Sequence, residues 1–110
     1  MKLPAGHQAD LGSKLEDYVL NPNHRDGKHK ARVFKSVLGI TLENRGVLTS
    51  AILAAATNSD AVQARGNNGH GDVYILSFPL QTKKGTATIM TGWIIRHGES
   101  FLRLTTCYIM

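Results

Sequence analysis

The sequence predicts a single α+β domain in which N-terminal helices pack on one face of a C-terminal antiparallel β-meander. Three observations favour this fold class. Apolar residues first recur at helical spacing, a polar stretch rich in Asn and Gly follows, and β-branched and aromatic residues then fill strand-length segments. The predicted parts of the domain, residues 1–110, are a helical part over about 13–57, a mobile loop over about 58–71 and a sheet over about 72–109.

Three helices are predicted in the first half. Ser13 followed by Glu16 forms a capping-box pattern for a short first helix, which ends before Pro22 because the residue preceding proline avoids helical geometry. Apolar residues three and four apart predict two further helices, over residues 28–38 and 42–57. Gly39 suits the stop of the second helix, since glycine adopts the left-handed backbone conformation at little cost.

Three strands are predicted in the second half, over residues 72–81, 86–97 and 100–109. Pro79 in the first of them indicates an edge or a bulge. In the last strand, Thr106 and Tyr108 share one parity, whereas Arg103 and Cys107 have the other. Both sets are mixed in polarity, so the sequence leaves open which one meets the helices. We expect a functional site on the sheet face that the helices leave free.

The chain carries 13 Lys and Arg against 8 Asp and Glu, a formal net charge of +5. Most of this excess lies between His24 and Lys35, which favours a polyanionic partner near that segment. Cations at a helix start oppose the helix dipole, and a phosphate bound to the free amides there would compensate for them. The alternative is a solvated basic surface with no ligand.

Metal and disulfide chemistry are not indicated by the sequence. The five histidines show no paired metal-ligand spacing, so we expect no metal and no other cofactor. Cys107 is the only cysteine and is expected to be a packing residue. Trp93 is expected in the core, with stacking on a base as the alternative. His29 is either a solvated helix residue or a second acid–base group.

Cleavage of RNA through its 2′-hydroxyl needs a proton acceptor, a proton donor and cations that stabilise charge on the phosphate. Histidine suits either proton role near neutral pH, and lysine suits the last. Hydroxyl groups can orient the phosphate. The residues that supply this set are His24, Lys28, Lys30, Thr106 and Tyr108, provided that the fold brings the two ends of the chain together.

Two blocks of sequence resemble a bacterial toxin domain family. The segment Leu15-Glu16-Asp17-Tyr18-Val19-Leu20-Asn21-Pro22-Asn23-His24, with Gly27, Lys30-Ala31-Arg32 and Phe34, is similar to a "L-x-x-Y-L-L-(S/N)-P-x-H-P-x-G-x-x-K-A-x-x-F" pattern. Thr91-Gly92-Trp93-Ile94-Ile95-Arg96 and Arg103-Leu104-Thr105-Thr106-Cys107-Tyr108 resemble its second block. The chain therefore looks like the C-terminal nuclease domain of a contact-dependent growth inhibition toxin, within the barnase, EndoU, colicin and RelE class of folds.

This resemblance implies a metal-independent ribonuclease that cuts transfer RNA, near the 3′ acceptor end if elongation factor Tu presents the substrate. It implies a cognate immunity protein as a partner, and elongation factor Tu as a protein cofactor. It also implies secretion as the C-terminal part of a larger surface protein and action in the cytoplasm of the target bacterium. No stable membrane association of this domain is expected, because no apolar run approaches the length of a membrane span.

By matching position, the resemblance makes His24, Lys30, Thr106 and Tyr108 the catalytic candidates, with Arg103 as support. Lys28, Arg25, Arg32 and Arg103 are the expected RNA- and phosphate-binding residues. Arg25 stands where the family pattern has proline. A purely catalytic His24 predicts that His24→Ala abolishes activity with almost no change in melting temperature. The alternatives are a basic RNA-binding or protein-interaction module without catalysis, and a deoxyribonuclease.

Overall fold

A computed structural model describes residues 1–110 as two α-helices and a five-stranded mixed sheet, with two shorter helical turns near the N-terminus. The elements are β1 (Ala9–Asp10), α1 (Lys28–Leu38), α2 (Gly46–Asn58), β2 (Val62–Asn67), β3 (Gly71–Gln81), β4 (Thr86–Arg96) and β5 (Leu102–Ile109). A 3₁₀ turn spans Gly6–Gln8, and a π-helical turn spans Leu15–Val19. The predicted α+β class is confirmed.

Helix α1 has the predicted bounds. Gly39 has φ 69°, and its N–H bonds to the carbonyl of Lys35, while the N–H of Ile40 reaches back to Phe34. These two bonds satisfy carbonyls at the helix end, which is why the helix stops there. Phe34 is fully buried on the apolar side of α1.

The other two helix predictions need correction. The first predicted helix is only the π-helical turn Leu15–Val19, and the Ser13 hydroxyl caps nothing. Helix α2 begins at Gly46 rather than at residue 42. The reason is local competition, since the Asn44 side chain accepts from the Thr41 N–H at 2.7 Å and donates to the Gly39 carbonyl at 3.0 Å.

The sheet has the strand order β1-β5-β4-β3-β2, with β1 parallel to β5 and the other neighbours antiparallel. The predicted three-stranded meander therefore gains a strand at each edge. The prediction of a mobile loop over 58–71 is wrong for residues 62–67, which form β2. Only Val62 of β2 is buried, so this edge strand lacks the alternation that identifies a strand from sequence. Pro79 lies beyond the end of the β2 pairing, on an edge as expected.

A β-bulge in β5 changes which of its residues share a face. Gly92 pairs with Thr106 but Trp93 pairs with Leu104, so Thr105 is the extra residue. Leu104 and Cys107 are consequently both buried although they are three residues apart. The parity prediction that separated Arg103 from Thr106 and Tyr108 is therefore wrong, because all three point away from the buried side.

One core joins the helices and the sheet. Trp93 is fully buried, as expected, and its indole N–H donates to the Thr91 hydroxyl, which donates to the Leu76 carbonyl. Cys107 is also buried, and this burial raises the pKa of its thiol to about 12, which confirms a packing residue. The core comprises Leu3, Leu15, Val19, Leu20, Phe34, Leu38, Ile40, Leu48, Ile52, Ala56, Val62, Leu76, Phe78, Ile89, Trp93, Leu102, Leu104 and Cys107. Neither α-helix is both long enough and apolar enough to span a bilayer.

Candidate active site between α1 and the end of β5

Four side chains from three parts of the chain form a connected group, which we call the His–Tyr–Lys cluster: Tyr18, His24, Lys30 and Tyr108. The rings of Tyr18 and His24 meet edge to face with centroids 5.0 Å apart. The Lys30 Nζ donates to the Tyr18 hydroxyl at 2.8 Å and lies 5.9 Å from the centre of the Tyr108 ring. The fold thus connects His24 to Tyr108 through Tyr18 and Lys30.

Gly27 lets the two sides of the cluster approach each other. A Cβ atom at this position would overlap the carbonyl oxygen of Tyr18, which lies within the π-helical turn, and would come 3.0 Å from the Tyr18 ring. Glycine is therefore needed for the start of α1 to pack on this turn. This close approach holds Tyr18 beside His24.

His24 closes the turn before α1 with both its side chain and its backbone. Its Nδ1 accepts from the backbone N–H groups of Asp26 and Gly27, each at 2.9 Å, and its carbonyl accepts from Lys28 at 3.0 Å. The imidazole closes this turn as the side-chain oxygen of Asn or Asp does when it accepts from a backbone N–H two residues further on. These two N–H groups are therefore not available to a phosphate, because His24 already binds them. A phosphate on the free amides of the first turn of α1 stays a prediction.

The two hydrogen bonds determine which tautomer a neutral His24 ring adopts. An acceptor nitrogen carries no hydrogen, so a neutral ring with Nδ1 in this role holds its proton on Nε2. No group in the protein accepts from Nε2. His24 can therefore donate a hydrogen bond to a bound anion, but accepting a proton on Nε2 would require the turn to release Nδ1.

Lys30 is the only cation of the basic segment that enters the cluster. Besides its bond to the Tyr18 hydroxyl, the Nζ lies 4.9 Å from the centre of the Tyr18 ring. An open hollow of about 350 Å³ borders this ammonium, lined by His29, Lys30, Val33, Tyr108 and Ile109. His29 is exposed at the rim of the hollow and makes no side-chain hydrogen bond. The hollow is a place where a phosphate could contact Lys30.

Other cations of the segment line a separate groove on the opposite flank of α1. Lys28, Arg32 and Lys35 are four and three residues apart, so they lie along one side of the helix. The groove has a volume of about 640 Å³, and its other lining residues are Leu20, Pro22, Ala31, Thr41, Leu42 and Glu43. Glu43 is the only carboxylate among them, so the groove is cationic overall.

The remaining predicted residues lie outside the cluster. Arg103 forms a two-pronged ion pair with Glu99, at 2.8 and 2.9 Å, and stacks on Phe101. This ion pair raises the pKa of Arg103 and lowers the pKa of Glu99. Arg25 is exposed and has no acidic partner. Thr106 lies two residues before Tyr108 on the same side of β5, and it is not among the hydrogen-bond partners of His24 or Lys30.

Tyr18 is the member of the cluster that the sequence analysis did not select. The signal for it was present, since Tyr18 falls on the tyrosine of the "L-x-x-Y" part of the first motif block. Its spacing to Lys30, 12 residues, gave no indication of a bond between them. No three His, Cys, Asp or Glu side chains of the chain are close enough together to hold a metal ion.

A family model described as a domain of unknown function (DUF6883) matches residues 2–110, almost the whole chain. No curated protein and no solved structure matches the chain.

Proposed function

We propose that this chain, which belongs to the DUF6883 family, is a metal-independent transfer-RNA endonuclease and the toxic domain of an antibacterial contact-dependent inhibition system. The observation that carries the proposal is the 2.8 Å hydrogen bond from Lys30 to Tyr18 beside an imidazole whose Nε2 is free. A hydroxyl, an ammonium and an imidazole group can supply the proton donor and the stabilisation of phosphate charge that cleavage through a 2′-hydroxyl uses.

The proposed step forms a bond between the ribose 2′-oxygen and phosphorus and breaks the bond from phosphorus to the 5′-oxygen. The 2′-hydroxyl proton leaves to solvent. Tyr18 gives its phenolic proton to the departing 5′-oxygen and regains one from the Lys30 ammonium, which already donates to it. Lys30 then takes a proton from solvent, which balances the proton released by the 2′-hydroxyl. The His24 Nε2–H donates to a non-bridging phosphate oxygen, a role that leaves its Nδ1 bonds intact. The products are a 2′,3′-cyclic phosphate and a 5′-hydroxyl.

The cationic groove supports a polyanionic substrate. Lys28, Arg32 and Lys35 are exposed, and a phosphate backbone in the groove would meet all three. Arg25 extends the positive surface at the start of α1. Arg103 contributes less to this surface than its sequence position predicts, because Glu99 neutralises it.

The resemblance of the two sequence blocks to contact-dependent inhibition toxins extends the proposal to partners and location. We propose a barnase/EndoU/colicin/RelE-like fold, an acidic cognate immunity protein, and elongation factor Tu presenting the 3′ acceptor end. The domain would be exported within a larger surface protein and act in the cytoplasm of the target bacterium. Thr106 stays a catalytic candidate only if substrate draws it toward Tyr108.

The test is incubation of the purified chain with total transfer RNA in EDTA, with and without elongation factor Tu. We expect discrete fragments that end in a 2′,3′-cyclic phosphate. Tyr18→Phe and Lys30→Met should each slow cleavage about 100-fold or more. The matched controls are Tyr74→Phe and Lys83→Met, whose side chains lie outside the cluster, and they should cut at the original rate. Intact RNA under both conditions at micromolar protein contradicts the proposal.

The hydrogen bonds of His24 favour one second candidate, an RNA-binding module without catalysis. In that case the imidazole serves only the turn before α1, and Lys30 and Tyr18 only neutralise and orient a phosphate. This candidate predicts binding that weakens steeply with salt and RNA that stays intact after long incubation. Inducible expression in a bacterium separates the two, since only the nuclease yields truncated transfer RNA on a gel.

A further inference from the structure

Outside the His–Tyr–Lys cluster, the turn before β3 and the end of β4 enclose a second polar hollow. Its volume is about 560 Å³, and it is lined by Asn68, His70, Ile94, Arg96, His97 and Thr105. Two imidazoles, a guanidinium, an amide and a hydroxyl thus share one space. None of its lining residues carries a carboxylate.

The side chains that could donate hydrogen bonds into this hollow are free. The side chains of His70, Arg96 and His97 have no hydrogen-bond partner and no ion pair within the protein. The carboxylate of Glu99 is held by Arg103, and Glu99 does not line the hollow. Arg96 therefore forms no ion pair, although its charge is one of those that lower the pKa of the nearby Glu99.

The backbone around the hollow brings the two histidines together. The His97 N–H donates to the His70 carbonyl at 3.0 Å. The Asn68 side-chain oxygen accepts from the N–H groups of His70 and Gly71, at 2.9 and 3.2 Å, which fixes the turn. A Cβ on Gly71 would overlap the carbonyl oxygen of Ile95, so glycine is required for this close approach.

We infer that this hollow is a binding site for a phosphate group, with Arg96 as the principal charge and His70 and His97 as flanking donors. Guanidinium and imidazole are the side chains that hold phosphate through charge-assisted hydrogen bonds. The Asn68 Nδ2 donates to no group of the protein, since the amide uses only its oxygen in the turn, and the Thr105 hydroxyl adds a donor from the bulge of β5. The inference does not depend on ribonuclease activity.

The experiment is a titration of the isotope-labelled full chain with inorganic phosphate, followed by NMR at constant ionic strength. Two further ligands, a nucleoside 3′-monophosphate and a short RNA without terminal phosphates, distinguish a phosphate monoester from a diester backbone. We expect the ring signals of His70 and His97 to shift in a saturable way. Arg96→Gln should weaken phosphate binding about tenfold.

Lys83→Gln removes the same charge at the opposite end of the β3–β4 hairpin and should leave the affinity unchanged. His70→Gln and His97→Gln should each weaken binding, whereas His7→Gln should not. All five substitutions are at exposed positions, so the fold is expected to persist, and a thermal melt of each variant checks this. Unchanged phosphate affinity in Arg96→Gln, or shifts confined to the residues around Lys30, would overturn the inference.

Discussion

His24 has two separable functions in the proposed mechanism, and one pair of substitutions distinguishes them. His24→Ala removes the acceptor of two backbone hydrogen bonds and the free Nε2 together. His24→Asn removes the Nε2 but keeps a side-chain oxygen of the kind that accepts from backbone N–H groups before a helix. Both variants therefore lack the imidazole, but only His24→Asn keeps a side-chain acceptor for the N–H groups of the turn.

The size of the stability effect follows from the two hydrogen bonds that His24 accepts in the turn. A hydrogen bond contributes about 0.5–1.5 kcal/mol to stability, so losing two partly exposed ones costs about 1–2 kcal/mol. For a domain of this size each kcal/mol lowers the melting temperature by about 4–8 °C. We expect His24→Ala to melt about 4–15 °C below the original chain and His24→Asn to melt within about 4 °C of it. This replaces the expectation from sequence that His24→Ala leaves the melting temperature almost unchanged.

The assay combines thermal unfolding, followed by circular dichroism, with transfer-RNA cleavage at a temperature where all three proteins are folded. Both variants should be inactive, because neither can donate from Nε2 to the phosphate. An unchanged melting temperature for His24→Ala would refute the contribution of these two hydrogen bonds to stability. Cleavage by His24→Asn at the original rate would refute the proposed role of the Nε2–H.

Three further predictions follow from the same contacts. Gly27→Ala should lower the free energy of unfolding by about 1–3 kcal/mol through its overlap with Tyr18, measured by urea denaturation, with Gly46→Ala as a control in open space. Replacing Lys28, Arg32 and Lys35 together by Gln should reduce the slope of log affinity against log salt by about 2, measured by RNA binding; an unchanged slope would exclude the groove as the RNA path. Because burial raises the pKa of Cys107 from 9.0 to about 12, the stabilisation from its neutral thiol should be complete below pH 9 and be lost progressively between pH 9 and 12. Cys107→Ala should not show this part of the alkaline loss, and an identical pH dependence in both proteins would contradict it.

What the sequence predicted correctly depended on local signals. Helix α1 was found at both ends because its apolar residues keep helical spacing and Gly39 supplies the left-handed stop. Strand β2 was missed because every residue after Val62 is exposed, so burial does not impose an alternating pattern on the strand. The bulge at Thr105 was not predictable, since either of two adjacent threonines could be the extra residue and only the pairing of β4 with β5 decides between them.

The cluster itself combines predictable residues with an unpredictable arrangement. His24 and Lys30 could be chosen from the sequence because the chemistry of a side chain follows from its residue type. The bond between Lys30 and Tyr18 depends on the π-helical turn and on the missing Cβ of Gly27, and these are tertiary features. The role of His24 as an acceptor in the turn was likewise not predictable, because histidine is not among the residues that usually bond to the backbone of a turn.

The positions of the cations on α1 constrain how an RNA could use both of the surfaces described above. At 3.6 residues per turn, Lys30 points roughly 160° away from Lys28 and Arg32 around the helix axis. The groove and the cluster therefore lie on opposite flanks of α1, and one straight strand cannot contact both. A single strand that follows the groove must cross the N-terminal end of α1 to bring a phosphate to Lys30. That end is where the His24 Nε2 is free and where Arg25 is exposed without an acidic partner. A bound strand would therefore bend at the turn formed by residues 24–27. The His24 hydrogen bonds make this turn rigid, so their loss should affect cleavage as well as folding.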